Sequence, residues 1–383
     1  MPASLRVLVG SLSRGVLPDA AGEPPAGTLL LDLGPDHPSS AGLLELELWT
    51  EGERVSAARV RVGAMHRGAE KLFEVRDYRQ IAMLADRHDW QAPFAGELGV
   101  ALVCEQLLGL EVPERARWLR TLLLEHTRVL SHLGHLGHLA ARVAPTLALR
   151  PLREALREQT LRLTGNRIHP MVARIGGLAA DADPGWLDAE RALMERVVTV
   201  GDALSAAAAG AGLEGVAPLD RRTVAAYGVS GPAARASGVE LDLRTVDGPL
   251  AYAELAHLVT PTPHRTGDAA ARFQTLGHEL VDSAGLVTAC ADRLVRLPGP
   301  VEVRLGKIVL LPEGEAYLTL ESPLGIAGFF VVSRGAKTPW RFKLRTPSFS
   351  NVAALESVLV GVPVAALESA LASIGYVVGD VDR

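Results

Sequence analysis

Cysteine is nearly missing from this chain: 383 residues contain two, Cys104 and Cys290. Two distant thiols fall short of the roughly four thiolates an iron–sulfur cluster takes, so the chain cannot hold one by itself. Their scarcity also fits a reducing compartment. Long apolar runs are missing too. No stretch of about 18 residues is both apolar and free of charge, which excludes a membrane-spanning helix. The opening MPASLRVLVGSLSRG has too short an apolar core for a signal peptide. Neither sign of charge is in large excess: a net -5 argues against nucleic acid and against an anionic membrane surface as partner. There is no G-x-S-x-G nucleophile turn. Gly210-Ala-Gly212 lacks the preceding strand and following acid of a dinucleotide site.

What is present suffices for a large core, since 48% of the residues are hydrophobic. Residues 17–27, LPDAAGEPPAG, read as a surface connector. Apolar and polar residues then alternate over 29–33 and 43–49, as in LLELELW, which predicts strands. Glu51-Gly52 makes a hairpin turn into a third strand over 54–62. Glu45 and Glu47 fall on the solvent face of the second. From about residue 70 the period becomes helical. Helices are predicted over 92–109, 113–143, 150–165, 184–209 and 268–295, the first closed by Gly109 and the second opened by Pro113. Long helices side by side imply a bundle. Arg115, Arg117, Arg120 and Arg128, at helical spacing, suggest a solvated or interface face. Residues 211–247 and 261–267 read as loops. Strands return over 301–309, 316–321 and 328–332, followed by RFKLRTPSF and a last helix near 351–372. The expected class is α+β: an N-terminal connector and small β-sheet over 1–66, a long-helix bundle core over 67–300 and a C-terminal α/β part over 301–383, in one compact unit.

The most informative segments are Gly34-Pro-Asp-His-Pro-Ser-Ser-Ala-Gly42 and Gly63-Ala-Met-His-Arg-Gly-Ala-Glu-Lys-Leu72. Prolines flank His37 and a glycine closes the first segment, so it reads as a rigid turn between short strands. Further on stand Ala85-Asp-Arg-His-Asp-Trp90, Asn166-Arg-Ile-His-Pro170, Arg174-Ile-Gly-Gly177, Tyr227-Gly-Val-Ser-Gly-Pro232 and Arg235-Ala-Ser-Gly238. Thr266-Gly-Asp268, Glu321-Ser-Pro-Leu-Gly325, Arg345-Thr-Pro-Ser-Phe349 and Gly379-Asp-Val-Asp-Arg383 complete the set. Singly each is weak. In this order they make the chain resemble the D subunit of respiratory complex I, the NADH-quinone oxidoreductase, which is sister to the large subunit of nickel–iron hydrogenases.

The resemblance implies a hydrogenase-large-subunit-like fold without a nickel–iron site, for which two cysteines could not supply the CxxC pairs. It implies that this chain binds no metal and no cofactor. The 4Fe–4S cluster would sit in a small B-type partner, NAD would be used elsewhere in the complex, and a quinone would enter between the two subunits as substrate. C-type, ferredoxin-like and membrane H-type subunits are the further partners implied, with the protein peripheral at the cytoplasmic side of the cell membrane. On the cluster side the resemblance places Arg67, Arg87 and His169. Guanidinium groups stabilise negative charge added to an anionic cluster, and imidazole, with an ordinary pKa of about 6.5, can couple a proton to an electron. Without the resemblance, Arg67 and Arg87 read as ion-pair partners of acids such as Glu70 or Asp89.

On the quinone side the resemblance places His37, Ala41, Trp90 and Arg142. The family has a histidine at Ala41 and a tyrosine at Trp90. With Ser131-His132 set on the family's Asn-His, it has an aspartate at Arg142. Reducing a quinone takes two protons. Alanine offers none, and an indole N–H does not cycle a proton at neutral pH. Arg142 is expected to face the cavity near Ala41 and Trp90, and His37 reads as a structural ligand of its own turn. His88 and His135 are candidates for a substitute proton donor. His132, His135 and His138, spaced by three, share a helix face that reads as a polar interface or water path; a metal would need further ligands. The expected function is a subunit of a complex I-type oxidoreductase that forms the acceptor cleft beside the partner's cluster, with altered quinone contacts. The alternative is a non-catalytic scaffold or assembly paralogue retaining only the docking surfaces.

Overall fold

Strict alternation in LELELW buries Leu44, Leu46 and Leu48 and turns Glu45 and Glu47 to the other face. In the computed structural model, which describes residues 3–10, 28–33, 37, 39, 42–147 and 149–383, this segment sits inside the first sheet. The sheet consists of β1 (Ala3–Val9), β2 (Thr28–Leu31), β3 (Leu44–Glu51) and β4 (Arg54–Arg61), ordered β2-β1-β3-β4. β1 and β2 run parallel and the remaining pairs antiparallel. Glu45 and Glu47 are half-buried and make cross-strand ion pairs, to Arg6 at 2.9 Å and Arg61 at 3.2 Å. The connector 17–27 lies outside the described residues. β1 adds to the strands expected from the sequence; its Val7 and Val9 alternate correctly and are fully buried.

The helical part begins with α1 (Ala69–Phe73), α2 (Tyr78–Ala85) and α3 (Pro93–Leu108). Pro93 opens α3, and Gly109, at φ 60°, closes it as the sequence indicates. The predicted helix 113–143 is divided into α4 (Glu114–His135) and α5 (Gly137–Val143), because Gly134 and Gly137 weaken the helix on either side of Leu136. Then come α6 (Leu149–Thr164), the two-residue strands β5 (Ala173–Arg174) and β6 (Gly177–Leu178), and α7 (Pro184–Ala209). The expected loop 211–247 contains α8 (Arg221–Tyr227) and α9 (Gly231–Ala236); α10 (Tyr252–Leu255) and α11 (Ala269–Arg296) follow. α11 packs along α7 and α4. Where α7 and α11 cross, a Cβ on Gly201 would lie 3.0 Å from the Gly277 carbonyl, and one on Gly277 equally close to that of Gly201.

The C-terminal sheet is an antiparallel meander of β7 (Gly314–Ser322), β8 (Gly325–Ser333) and β9 (Arg341–Arg345). The expected strand 301–309 is not part of it. Only Glu302 makes a bridge, to Gly177, in a stretch interrupted by Pro300 and Gly306. The predicted last helix is two, α12 (Pro347–Val358) and α13 (Leu367–Ile374), parted by Gly361 and Pro363, before the short α14 (Val378–Val381). The Gly361 N–H bonds the Val55 carbonyl at 2.7 Å and the Val55 N–H bonds the Val362 carbonyl at 3.0 Å, so the C-terminal part is stitched to the first sheet.

Arg120 and Arg128 correct the expectation of a solvated arginine face: both are fully buried. Arg120 pairs with Glu105. Arg128 belongs to an ionic network at the centre of the bundle. Its Nε is 3.1 Å from Glu125, and its Nη2 donates to the Glu321 carbonyl at 2.7 Å. Arg235 bonds Glu279 and Glu321, each at 2.8 Å, while Arg244 bonds Asp242 at 2.7 Å and reaches Glu125 at 3.6 Å. Burial alone would raise Glu279; Arg235, the His132 hydrogen bond and Arg244 outweigh it and hold it down at about 2.

A side chain at the α7–α11 crossing has no space. Gly277→Val should cost about 1–3 kcal/mol of stability, visible as a lower urea midpoint with an unchanged m-value; an unshifted midpoint would show that the helices can part freely.

Candidate functional site

The loop 63–68 owes its course to the end of the chain. Asp382 accepts hydrogen bonds from the Gly63 and Met65 N–H groups at 2.7 and 2.8 Å, and its carbonyl lies 2.9 Å from His66 Nδ1. Gly42, closing the turn that holds His37, rests on the same assembly; a Cβ there would lie 2.8 Å from Val378 and 2.9 Å from the Met65 sulfur. The Trp90 ring packs over Gly379, where a Cβ would meet Cζ3 at 2.3 Å. Three distant segments therefore converge on α14.

Arg67 projects from this loop into solvent and has no ion pair among the described residues. Glu70, one of the acids expected to hold it, is taken instead by Arg341, Arg383 and the Leu344 N–H. Arg87 is half exposed and pairs at 3.0 Å with Asp86, not with Asp89. Asp86 is fully buried, and its second oxygen lies 3.5 Å from Nδ1 of His169. Two of the three residues assigned to the cluster side thus meet across one buried carboxylate. Asp86 stands in one of the ordered motifs, but no pattern in the chain marks it for this role.

Arg87 also lines a surface cleft of about 670 Å³. Arg76, Arg79, Lys307 and Lys337 surround the cleft, with Met83 and Ile308 among its apolar walls. Its cations come from three distant stretches of chain, so sequence spacing could not reveal it.

On the other side, His37 is buried, with Nδ1 2.7 Å from the Ser39 hydroxyl. Ala41 lies outside the described residues. Trp90 is half-buried, and its Nε1 finds no acceptor. Arg142 is exposed on α5, donating to the Ser369 hydroxyl at 3.1 Å. His138 approaches the same hydroxyl at 3.4 Å. His88 is buried and pushed down to about 4, first by burial and then by the charges of Arg67 and Arg383. Among the described residues no group of three His, Cys, Asp or Glu side chains is placed to hold a metal ion.

Asp89 and Asp380 are a pair that the sequence does not announce. Asp89 Oδ1 accepts from the Gln91 and Ala92 N–H groups at 3.0 and 3.1 Å, which turns the chain into α3. Burial, reinforced by the charge of Asp380, raises Asp89 from 3.8 to about 8, and burial raises Asp380 to about 6 against the hydrogen bonds from Ser348. The folded chain therefore binds more protons here than the unfolded chain between about pH 4 and 8, so this contribution to stability falls as pH rises. Asp89→Asn keeps the turn-forming oxygen and removes the charge. The variant should lose less stability than the parent between about pH 6 and 8 in urea titrations; equal slopes would refute the raised titration of Asp89.

The chain matches the family described as respiratory-chain NADH dehydrogenase, 49 Kd subunit, over residues 141–311 and 305–383. It is 46% identical over 378 residues to a D subunit of the NADH-quinone oxidoreductase of Salinispora tropica, covering 95% of each chain. It is 45% identical over 364 residues to a D subunit of the same oxidoreductase in Streptomyces coelicolor, covering 93% of this chain and 95% of that one. A chain in the solved structure of the membrane-bound sulfane sulfur reductase, an archaeal respiratory membrane complex, superposes with a TM-score of 0.81 at 31% identity, covering 91% of this chain and 97% of that one. Among the described residues no helix is long and apolar enough to cross a membrane. The chain belongs to the family of the respiratory-chain NADH dehydrogenase 49 Kd subunit and is a complex I-type subunit of an oxidoreductase complex.

Proposed function

We propose that the surface carrying Arg67, Arg87 and His169, with Trp90 nearby, lines the acceptor cleft of a complex I-type oxidoreductase, facing a 4Fe–4S cluster held by a B-type partner. The observation that carries this is the buried carboxylate of Asp86, which holds Arg87 at 3.0 Å and lies 3.5 Å from His169. Arg67 keeps its guanidinium outside any ion pair among the described residues, available to negative charge from another chain. Both cysteines of this chain are buried and free, so the thiolates for a cluster must come from elsewhere. A quinone is the acceptor. It takes two electrons from the partner's cluster and two protons from water.

The quinone contacts differ from the family pattern at Ala41 and Trp90, so Trp90 supplies an aromatic wall and leaves proton delivery to other groups. C-type, ferredoxin-like and membrane H-type subunits complete the assembly at the cytoplasmic side of the membrane, and NAD is used at another subunit. In the purified native complex, Trp90→Ala should lower kcat/KM for quinone at least about tenfold, while the partner's cluster remains reducible. A parent complex that reduces its cluster but never quinone would overturn this function and favour the scaffold alternative.

A further inference from the structure

His37, His132 and His135 are 2%, 0% and 0% exposed, and each leaves one ring nitrogen without a hydrogen-bond partner: Nε2 of His37, Nδ1 of His132 and Nε2 of His135. Unpaired polar atoms at such depth are rare and call for a cause. The bonds these rings do make fix their tautomers. The Ser39 N–H donates to His37 Nδ1 at 3.2 Å, so the neutral His37 ring carries its proton on Nε2. The Ser131 carbonyl can only accept, so His135 holds its proton on Nδ1, at 2.9 Å, and leaves a lone pair on Nε2. Glu279 is ionised and accepts from His132 Nε2 at 3.0 Å, which leaves the Nδ1 lone pair of that ring vacant.

The rings are also neighbours. His37 and His135 meet edge to face with centroids 5.8 Å apart, so the two rings are in direct contact. His135 follows His132 by one turn on the same face of α4. Behind His132 stands the ionic network, in which four carboxylates (Glu125, Asp242, Glu279 and Glu321) face three guanidinium groups (Arg128, Arg235 and Arg244). One negative charge is therefore left to stabilise a proton arriving on His132. Arg235 and Asp242 reach from this network to a surface cleft of about 180 Å³, which gives solvent a side of its own.

We propose that His135, backed by the His132–Glu279 pair, is the proton station of the acceptor cleft, standing in for the donors that Ala41 and Trp90 do not provide. This rests on the function proposed above. A proton from solvent water adds to a vacant ring nitrogen, passes to Nε2 of His135, and leaves from that same nitrogen through water beside His37 to a quinone carbonyl oxygen. No bond other than N–H and O–H is made or broken. The two electrons come from the partner's cluster, and each quinone draws two protons. Burial keeps both His135 and His37 uncharged at rest, with His135 pushed down to about 4, so a proton passes through and is not stored.

The test uses the native complex carrying His135→Asn, whose amide can keep the hydrogen bond to Ser131 but takes up no proton. Quinone reduction should show kcat lowered at least about tenfold, KM within about twofold, and a larger solvent deuterium isotope effect, with the partner's cluster reduced at the parent rate. In His135→Gly, added imidazole should restore part of kcat. Unchanged kcat and isotope effect would overturn the station alone. Failure of both variants to assemble would also overturn it, because His135 would then be a packing residue. A parent complex that never reduces quinone would remove the proposed function, and the station with it.

Discussion

The interaction on which the rest of this molecule depends is the ionic network buried where α4, α11 and the C-terminal sheet meet. Charged groups leave water at a cost of several kcal/mol each, recovered only when every partner is in place. Arg128 holds the Ser322 and Glu321 carbonyls, Arg235 joins Glu279 to Glu321, and Arg244 ties the segment around Asp242 to Glu125. A bundle held by apolar contact alone could slide along its helices. One held by these pairs has a single register, and that register sets where His132 and His135 stand.

The second constraint is the end of the chain. α14 supplies Gly379 beneath Trp90, Val378 against Gly42, and Asp380 beside Asp89. Asp382, one residue beyond it, holds the loop that presents Arg67. Arg67 and Trp90, two of the residues proposed to line the cleft, are thus positioned by the last few residues, which are buried up to Asp382. Rigid placement of exposed cations is what a surface needs if it is to stabilise charge on a neighbouring chain.

Much of the architecture is legible in the chain because local chemistry decides it. Alternation in LELELW, Pro93 and Gly109 around α3, and Asp183-Pro184 and Asp268 before α7 and α11 all mark boundaries that the structure observes. What escapes a reading of the chain is long-range. Arg120 and Arg128 look like surface residues until Glu105 and Glu125 are seen against them. Residues 301–309 are apolar enough for a strand, yet their backbone pairs with the short turn at Gly176, Gly177 and Leu178 and joins neither larger sheet. At the site, ordered motifs bring forward Arg87 and His169, but the carboxylate between them and the Asp89–Asp380 pair emerge only from the fold. Arg142, expected at the cavity, stands exposed on α5 and donates to the Ser369 hydroxyl.

Whether Arg67, Arg87 and His169 face a cluster in a partner subunit is tested most directly by an electron cryomicroscopy map of the native complex. Cluster density is expected in the adjoining subunit within one Debye length, about 10 Å, of the Arg87 guanidinium, with quinone or inhibitor density against Trp90. A cluster lying against a different face, with Arg67 and Arg87 open to solvent, would contradict this placement.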